Sequence, residues 1–295
     1  MNKKIKATAY LLFATLIWGS AFTAQSIGME YIGPFTFQTA RCLLAVGFLF
    51  PVSRWFEKDK QNFFRNWTDP KLWKAGILCG AALFLAAGLQ QMGLQYATAG
   101  KAGFITTLYI VMVPVIGALL GKRPPVTAWI GVAFALGGLY LLSGVSLSGA
   151  NRGDFLLMGC AFWFAVQIIL VDKYIGAVDG VKLSCIQSLV CAALSALAMG
   201  LTEQPAWENL IGCAGPLLFA GVASMGIAYT LQILGQRDLP PTPAALIMSL
   251  ESVFALLTGW LILGERMTRT ELLGCALVFF AVILSQLPVS GRSSR

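Results

Sequence analysis

Histidine is absent from all 295 positions of this chain. The commonest general base and the commonest metal-binding imidazole are therefore both missing. Charge is scarce as well. Asp, Glu, Lys and Arg together supply 12% of the residues, about half the share of an ordinary soluble domain. Against that shortage, 57% of the residues are hydrophobic and the mean hydropathy is +0.75. A water-soluble fold of this length needs more polar surface, so the chain is read by how often it crosses a bilayer.

Cysteine pairing signatures are also missing. The seven cysteines all lie within apolar runs and none forms a CxxC pair, which argues against a metal site or a disulfide framework and for small buried side chains. No cofactor is expected. The formal net charge of +8 comes from basic residues in short connections rather than from a patterned stripe. That distribution fits orientation in a membrane, not nucleic-acid binding. The start, Met1-Asn2-Lys3-Lys4-Ile5-Lys6 before an apolar stretch, resembles a secretory signal. However, the run from Ala7 to Met29 exceeds a signal core and lacks a small-x-small cleavage site, so it reads as a retained first helix.

About 20 apolar residues span the hydrocarbon core as a helix. Runs of this kind fall near 7–29, 31–53, 75–97, 102–121 and 125–146, then near 154–171, 181–202, 210–234, 241–264 and 270–288. Helices are required because lipid offers backbone groups no hydrogen-bond partner. The expected fold is thus all-α and integral to the membrane, with ten transmembrane helices. With the N-terminus inside, the inner connections hold the basic clusters around Lys3 to Lys6 and Arg54 to Lys74, then Lys122, Arg123, Lys173, Lys182 and Arg237. The outer ones hold Lys101, Arg152, Arg266 and Arg269. This bias predicts a cytoplasmic-membrane protein with both termini in the cytoplasm.

The two halves resemble each other. Leu11 to Trp18 lines up with Leu156 to Trp163, Gly121-Lys122-Arg123 with Gly264-Glu265-Arg266, and Gly131 with Gly274, at offsets of about 145 falling to 143. Five crossings per half make the second copy enter from the opposite side. The expectation is two inverted five-helix repeats, 7–146 and 153–288, with their interface near the midplane, where carriers build their sites.

Trp18-Gly19-Ser20 in span one, Pro114 in span four, Glu251 in span nine and the Gly264-Glu265-Arg266 turn resemble EamA-type domains of the drug/metabolite transporter superfamily, in two copies over roughly 9–143 and 154–287. The resemblance implies a ten-helix carrier whose central cavity is lined mainly by spans one, three, four, six, eight and nine. It also implies transport of small organic solutes such as amino acids, often outward. Two departures from the family pattern are visible: Gly121-Lys122-Arg123 lacks the usual glutamate, and Ser252 follows Glu251 where proline is common.

Glu251 is the sharpest candidate. It stands 14 residues from both Arg237 and Glu265, or ~21 Å from each end at about 1.5 Å per residue. A charge at that depth costs ~2.5–3.5 kcal/mol on insertion scales, so it needs a partner, water or a proton. It reads either as a cavity carboxylate that exchanges a proton or as a packing residue. Arg41 is also deep. It can meet a substrate carboxylate, but because the family places span two at the periphery, an ion pair or a packing contact is the favoured reading; its counterpart in the second half is Gln187.

Trp18 and Trp163 occupy equivalent places and can supply aromatic walls. Buried amides and hydroxyls should face the interior, since lipid-facing ones are costly. The amides are Gln25, Gln38, Gln90, Gln91, Gln167 and Gln232; the hydroxyls are Tyr109, Tyr229, Ser20 and Ser249. Gln90, Gln91, Gln167 and Tyr109 stand on spans that line the cavity in the family. Pro114 removes a ladder hydrogen bond inside span four and can kink it or act as a hinge.

The expected function is a secondary transporter of small metabolites, working by alternating access with proton exchange through Glu251. The expected partners are the solute, the bilayer and protons. A membrane-embedded enzyme and a channel are the rival classes. The enzyme lacks an acid pair or an activated nucleophile, and the channel lacks filter rings.

Overall fold

The structure, a computed structural model, describes residues 3–57, 60–97, 99–122, 124–143, 151–263 and 268–286. Among these residues it is all helix, with no strand. The first half comprises α1 (Lys3–Met29), α2 (Pro34–Phe56), the short α3 (Phe63–Trp67), α4 (Pro70–Leu94), α5 (Ala99–Thr107), α6 (Tyr109–Leu119) and α7 (Val126–Ser143). The second comprises α8 (Arg152–Tyr174), α9 (Gly180–Thr202), α10 (Trp207–Gly212), α11 (Ala214–Leu218), a π-helical stretch (Phe219–Ala228), α12 (Tyr229–Gln236), α13 (Pro241–Met248), α14 (Leu250–Leu263) and α15 (Arg269–Gln286).

Each expected apolar run is largely helical where it is described. Among the described residues, eight helical stretches have the length and hydropathy of a crossing, and Val126–Leu142 is apolar but shorter. Helix ends differ from the hydropathy estimates because capping chemistry, not apolarity, sets them. α4 begins five residues early, where Asp69 accepts from the Lys71 amide at 2.9 Å and Pro70 takes the first helical position. α8 begins at Arg152 because Asn151 and Asp154 form a reciprocal capping box.

The halves pack by exchange. α4 lies on α8, while α1 lies on the α11–α12 stretch; α2 meets α9 and α7 meets α15. The α7–α15 contact repeats itself across its centre. A Cβ on Gly131 would lie 3.4 Å from the Ala281 carbonyl, and one on Gly138 would lie 2.7 Å from that of Gly274. Since Gly131 is equivalent to Gly274, position 138 is equivalent to 281, so the two contacts are one contact used twice. This is the geometry of an isologous interface, and it requires glycine where the backbones approach most closely.

Polar latches join the halves at their ends. Among the described residues there are three ion pairs: Lys101 with Asp154 at 2.6 Å, Lys122 with Asp172 at 2.6 Å, and Lys182 with Glu57. Each links one half to the other. The first two fasten α5–α6 to α8 near their starts and near their ends, so these helices run the same way. α2 and α9 run oppositely: Lys182 at the start of α9 holds Glu57 after α2, while Glu203 after α9 caps the start of α2. Its oxygens accept from the Phe35 and Thr36 amides at 2.8 Å each and from the Thr36 hydroxyl at 2.6 Å.

Candidate functional site

Two crossings are interrupted, and their breaks build the site. Span four divides at Leu108 into α5 and α6, and span nine divides at Ser249 into α13 and α14. At each break the hydrogen bonding tightens to i→i+3: the Leu108 amide donates to the Ile105 carbonyl at 3.2 Å and the Ser252 amide to that of Ser249 at 3.3 Å. Pro114 lies beyond the first break, inside α6, and lacks the amide that the Ile110 carbonyl would otherwise accept from. Ser249 loosens the second break by donating to the Leu246 carbonyl at 2.7 Å. Tyr109 and Glu251 follow these breaks directly.

Glu251 is 6% exposed and sits in the first turn of α14, where the helix dipole favours negative charge. Its Oε1 accepts from the Tyr109 hydroxyl at 3.2 Å and lies 3.4 Å from the Thr107 hydroxyl. Thr107 has one proton, and nearer acceptors compete for it: the Gly103 carbonyl at 2.6 Å and Ser252 Oγ at 2.8 Å. Glu251 thus has one long hydrogen bond, one weak contact and, among the described residues, no cation within 4.0 Å.

These groups face a partly open cavity with about 520 Å³ of empty space, open solvent included. Room for the centres of water-sized molecules is about 40 Å³, enough for roughly three waters at ~10–15 Å³ each. Trp18, Phe22, Tyr109, Phe164 and Tyr229 form its aromatic wall, with Trp18 edge-on to Tyr229 at 4.9 Å between ring centres. Gln25, Arg41, Gln90, Ser224, Gln232 and Glu251 form the polar wall, and Ile168 and Met248 complete it. Three atoms of wall residues are buried with no hydrogen-bond partner among the described residues: Trp18 Nε1, Arg41 Nε and Gln232 Oε1. Ser224 comes from the π-helical stretch, a deformation frequent at functional sites.

The wall draws on the six expected spans and also on span two, through Arg41. Arg41 donates to Gln25 Oε1 at 2.6 Å. The ion pair favoured for it is not present, since no carboxylate lies within 4.0 Å among the described residues. Of the other residues singled out from the sequence, Gln90 reaches the wall and donates to Thr106 Oγ1 at 3.4 Å.

Several others are placed elsewhere. Trp163 is half-buried against Phe162, with ring centres 5.5 Å apart; the next residue, Phe164, faces the cavity instead. Ser20 and Ser249 donate to carbonyls of their own helices. Gln167 belongs to an amide ladder: Gln187 lies 3.3 Å from it, Gln232 donates to it at 3.0 Å and to Gln236 at 3.0 Å, and Gln236 donates to the Ile168 carbonyl at 2.9 Å. Gln38 donates to the Phe84 carbonyl at 3.3 Å. Gln91 is fully buried, and neither of its amide atoms has a partner among the described residues. Arg123 and the Gly264-Glu265-Arg266 turn lie outside the described residues. Apolar wall residues such as Phe22, Phe164 and Met248 went unnamed from the sequence, because nothing distinguishes them there from other residues of a span.

Comparison with known proteins gives a consistent result. The EamA-like transporter family matches the chain twice, over residues 5–144 and 151–287. A protein of Archaeoglobus fulgidus described as an uncharacterized transporter is 33% identical over 293 residues, 97% of this chain and 88% of its own length. The inner membrane transporter YedA of Escherichia coli K12, also described as uncharacterized, is 26% identical over 292 residues, 92% and 88% of the two chains. The threonine/homoserine exporter RhtA of Salmonella typhimurium is 30% identical over 175 residues, 56% of each chain. A solved crystal structure superposes with a TM-score of 0.76 at 19% identity, over 95% of this chain and 96% of that one. It shares the fold.

Proposed function

Because the chain belongs to the EamA-like transporter family and is a multi-pass membrane protein, we propose that it is a secondary carrier of small amphipathic metabolites of the amino-acid kind. One observation carries this reading. Glu251 stands on the wall of the cavity, at the junction of two interrupted helices, with no cation within 4.0 Å among the described residues. A carboxylate held apart from any fixed counter-charge is available to a mobile one, either a proton or a solute ammonium. Both compete for the same oxygens, and that competition is what couples an outgoing solute to an incoming proton.

The architecture of the reading is ten crossings in two inverted repeats, 7–146 and 153–288, with both termini in the cytoplasm as the basic residues of the connections favour. The cavity lies where the repeats meet, the usual place for a carrier site. Lys101–Asp154 then belongs to the outer end and Lys122–Asp172 to the inner end, and alternating access parts one pair while the other stays closed. Export is the favoured direction, supported by the relative named as a threonine/homoserine exporter. The aromatic wall suits solutes with an apolar body. Tyr109, Trp18, Gln90 and Gln232 are the proposed solute contacts, and Pro114 the proposed hinge.

The test is flux in proteoliposomes with an imposed pH gradient. Saturable solute movement that follows the gradient and shows counter-transport is expected for the native chain. Glu251→Gln should retain exchange but lose the gradient dependence. Full gradient dependence in that variant removes Glu251 from coupling, and flux without saturation makes the protein a channel.

A further inference from the structure

We infer that Arg41 and Gln25 form an anion-reading subsite of the cavity and that the transported solute carries a carboxylate. This rests on the carrier reading and names the solute class for the same cavity.

Arg41 is 2% exposed and lies on the cavity wall. Its Nη1 donates to Gln25 Oε1 at 2.6 Å, and Gln25 is itself oriented by donating to the Ala21 carbonyl at 3.2 Å. The guanidinium carbon lies 5.7 Å from the centre of the Phe37 ring. One amide and one ring thus hold the group in place without neutralising it. Nε is buried with no hydrogen-bond partner, and no carboxylate lies within 4.0 Å, both among the described residues.

A buried charge whose role is only structural is paired, as Lys182 is with Glu57. Arg41 is built differently. A guanidinium presents parallel N–H donors that match a carboxylate in two-point contact, and Arg41 lines the cavity with that group. There a solute bearing only positive charge would be repelled by Arg41 even where it suited Glu251. A carboxylate complements the one, and an ammonium on the same molecule complements the other.

The experiment uses the full chain in proteoliposomes and, in parallel, thermal-shift binding in micelles. The probes are the L-amino acids, the carboxamide of each amino acid that responds, the matching amine without its carboxylate, and a panel of cationic and neutral metabolites. The expected result is that an amino acid responds and that its carboxamide binds at least tenfold more weakly, with the loss of a charge-assisted contact weakening binding by roughly 10- to 100-fold. Arg41→Gln should reduce the native preference for carboxylate over carboxamide to within about twofold, and Arg41→Lys should restore part of it.

The native comparison needs no variant, so it decides the matter even if Arg41→Gln fails to fold. Equal response to an amino acid and its carboxamide overturns the inference. Flux confined to cationic or neutral metabolites overturns it while leaving the carrier reading intact. Absence of flux for every probe overturns both.

Discussion

Lys182 and Arg41 are both buried cations, 4% and 2% exposed, yet among the described residues only Lys182 has an acid within 4.0 Å. Lys182 stands where the start of α9 meets the end of α2 and is paired with Glu57 over the Phe63 ring. Arg41 stands deep in α2 with an amide and an aromatic face for company. The protein therefore handles these two charges, one on α9 and one on α2, in opposite ways. At the ends of the molecule the protein supplies its own complements, including the Glu203 cap on α2. Around the cavity it withholds them from Arg41 and from Glu251. Among the described residues, ion-paired charge lies at the ends of the spans, while Arg41 and Glu251 line the cavity without an ion pair.

The sharpest way to break this comparison is Glu57→Ala. It leaves the Lys182 charge buried without its partner, and a loss of about 3 kcal/mol is expected, read as a lower thermal unfolding midpoint in micelles. An unchanged midpoint would show that the latch holds nothing. Glu203→Ala should cost less, about 2 kcal/mol, because two amides of α2 and the Thr36 hydroxyl lose a charged acceptor at a helix start. The smallest effect on stability should come from Arg41→Met, within about 1 kcal/mol of the native chain in either direction, since removing an uncompensated charge relieves its burial. A large destabilisation there would place Arg41 in the same class as Lys182.

Much of the fold was legible because hydropathy is a property of composition along the chain. Segment ends were less so. Pro70 and Asn151 set them by capping, several residues from where apolarity begins. The interruptions at Leu108 and Ser249 cannot be read from hydropathy, since the polar residues beside them, Thr106, Thr107, Glu251 and Ser252, suit an unbroken cavity-lining helix equally well.

In the cavity, Trp18, Gln90, Tyr109 and Glu251 were visible as residue types that lipid does not tolerate cheaply. Trp163 shows the limit of reading by repeat. It aligns with Trp18, yet a helix turns about 100° per residue, and on α8 it is the next position, Phe164, that faces the cavity. Arg41 shows another limit. Its charge is plain in the sequence, but whether an acid faces it from elsewhere is a property of three-dimensional packing. The amide ladder through Gln167, Gln232 and Gln236 is of the same kind, since only spatial proximity shows that these glutamines serve one another.

The lysine–aspartate pairs at the two ends of α8 carry a last consequence. Their side chains are 22% and 17% exposed at one end and 52% and 21% at the other, and partly hydrated ion pairs are each worth little, ~1 kcal/mol or less. Neither end is bolted shut, and undoing one demands about the same effort as undoing the other. On the proposed carrier reading, these latches do not themselves impose a heading, and the gradients of solute and proton across the membrane decide it.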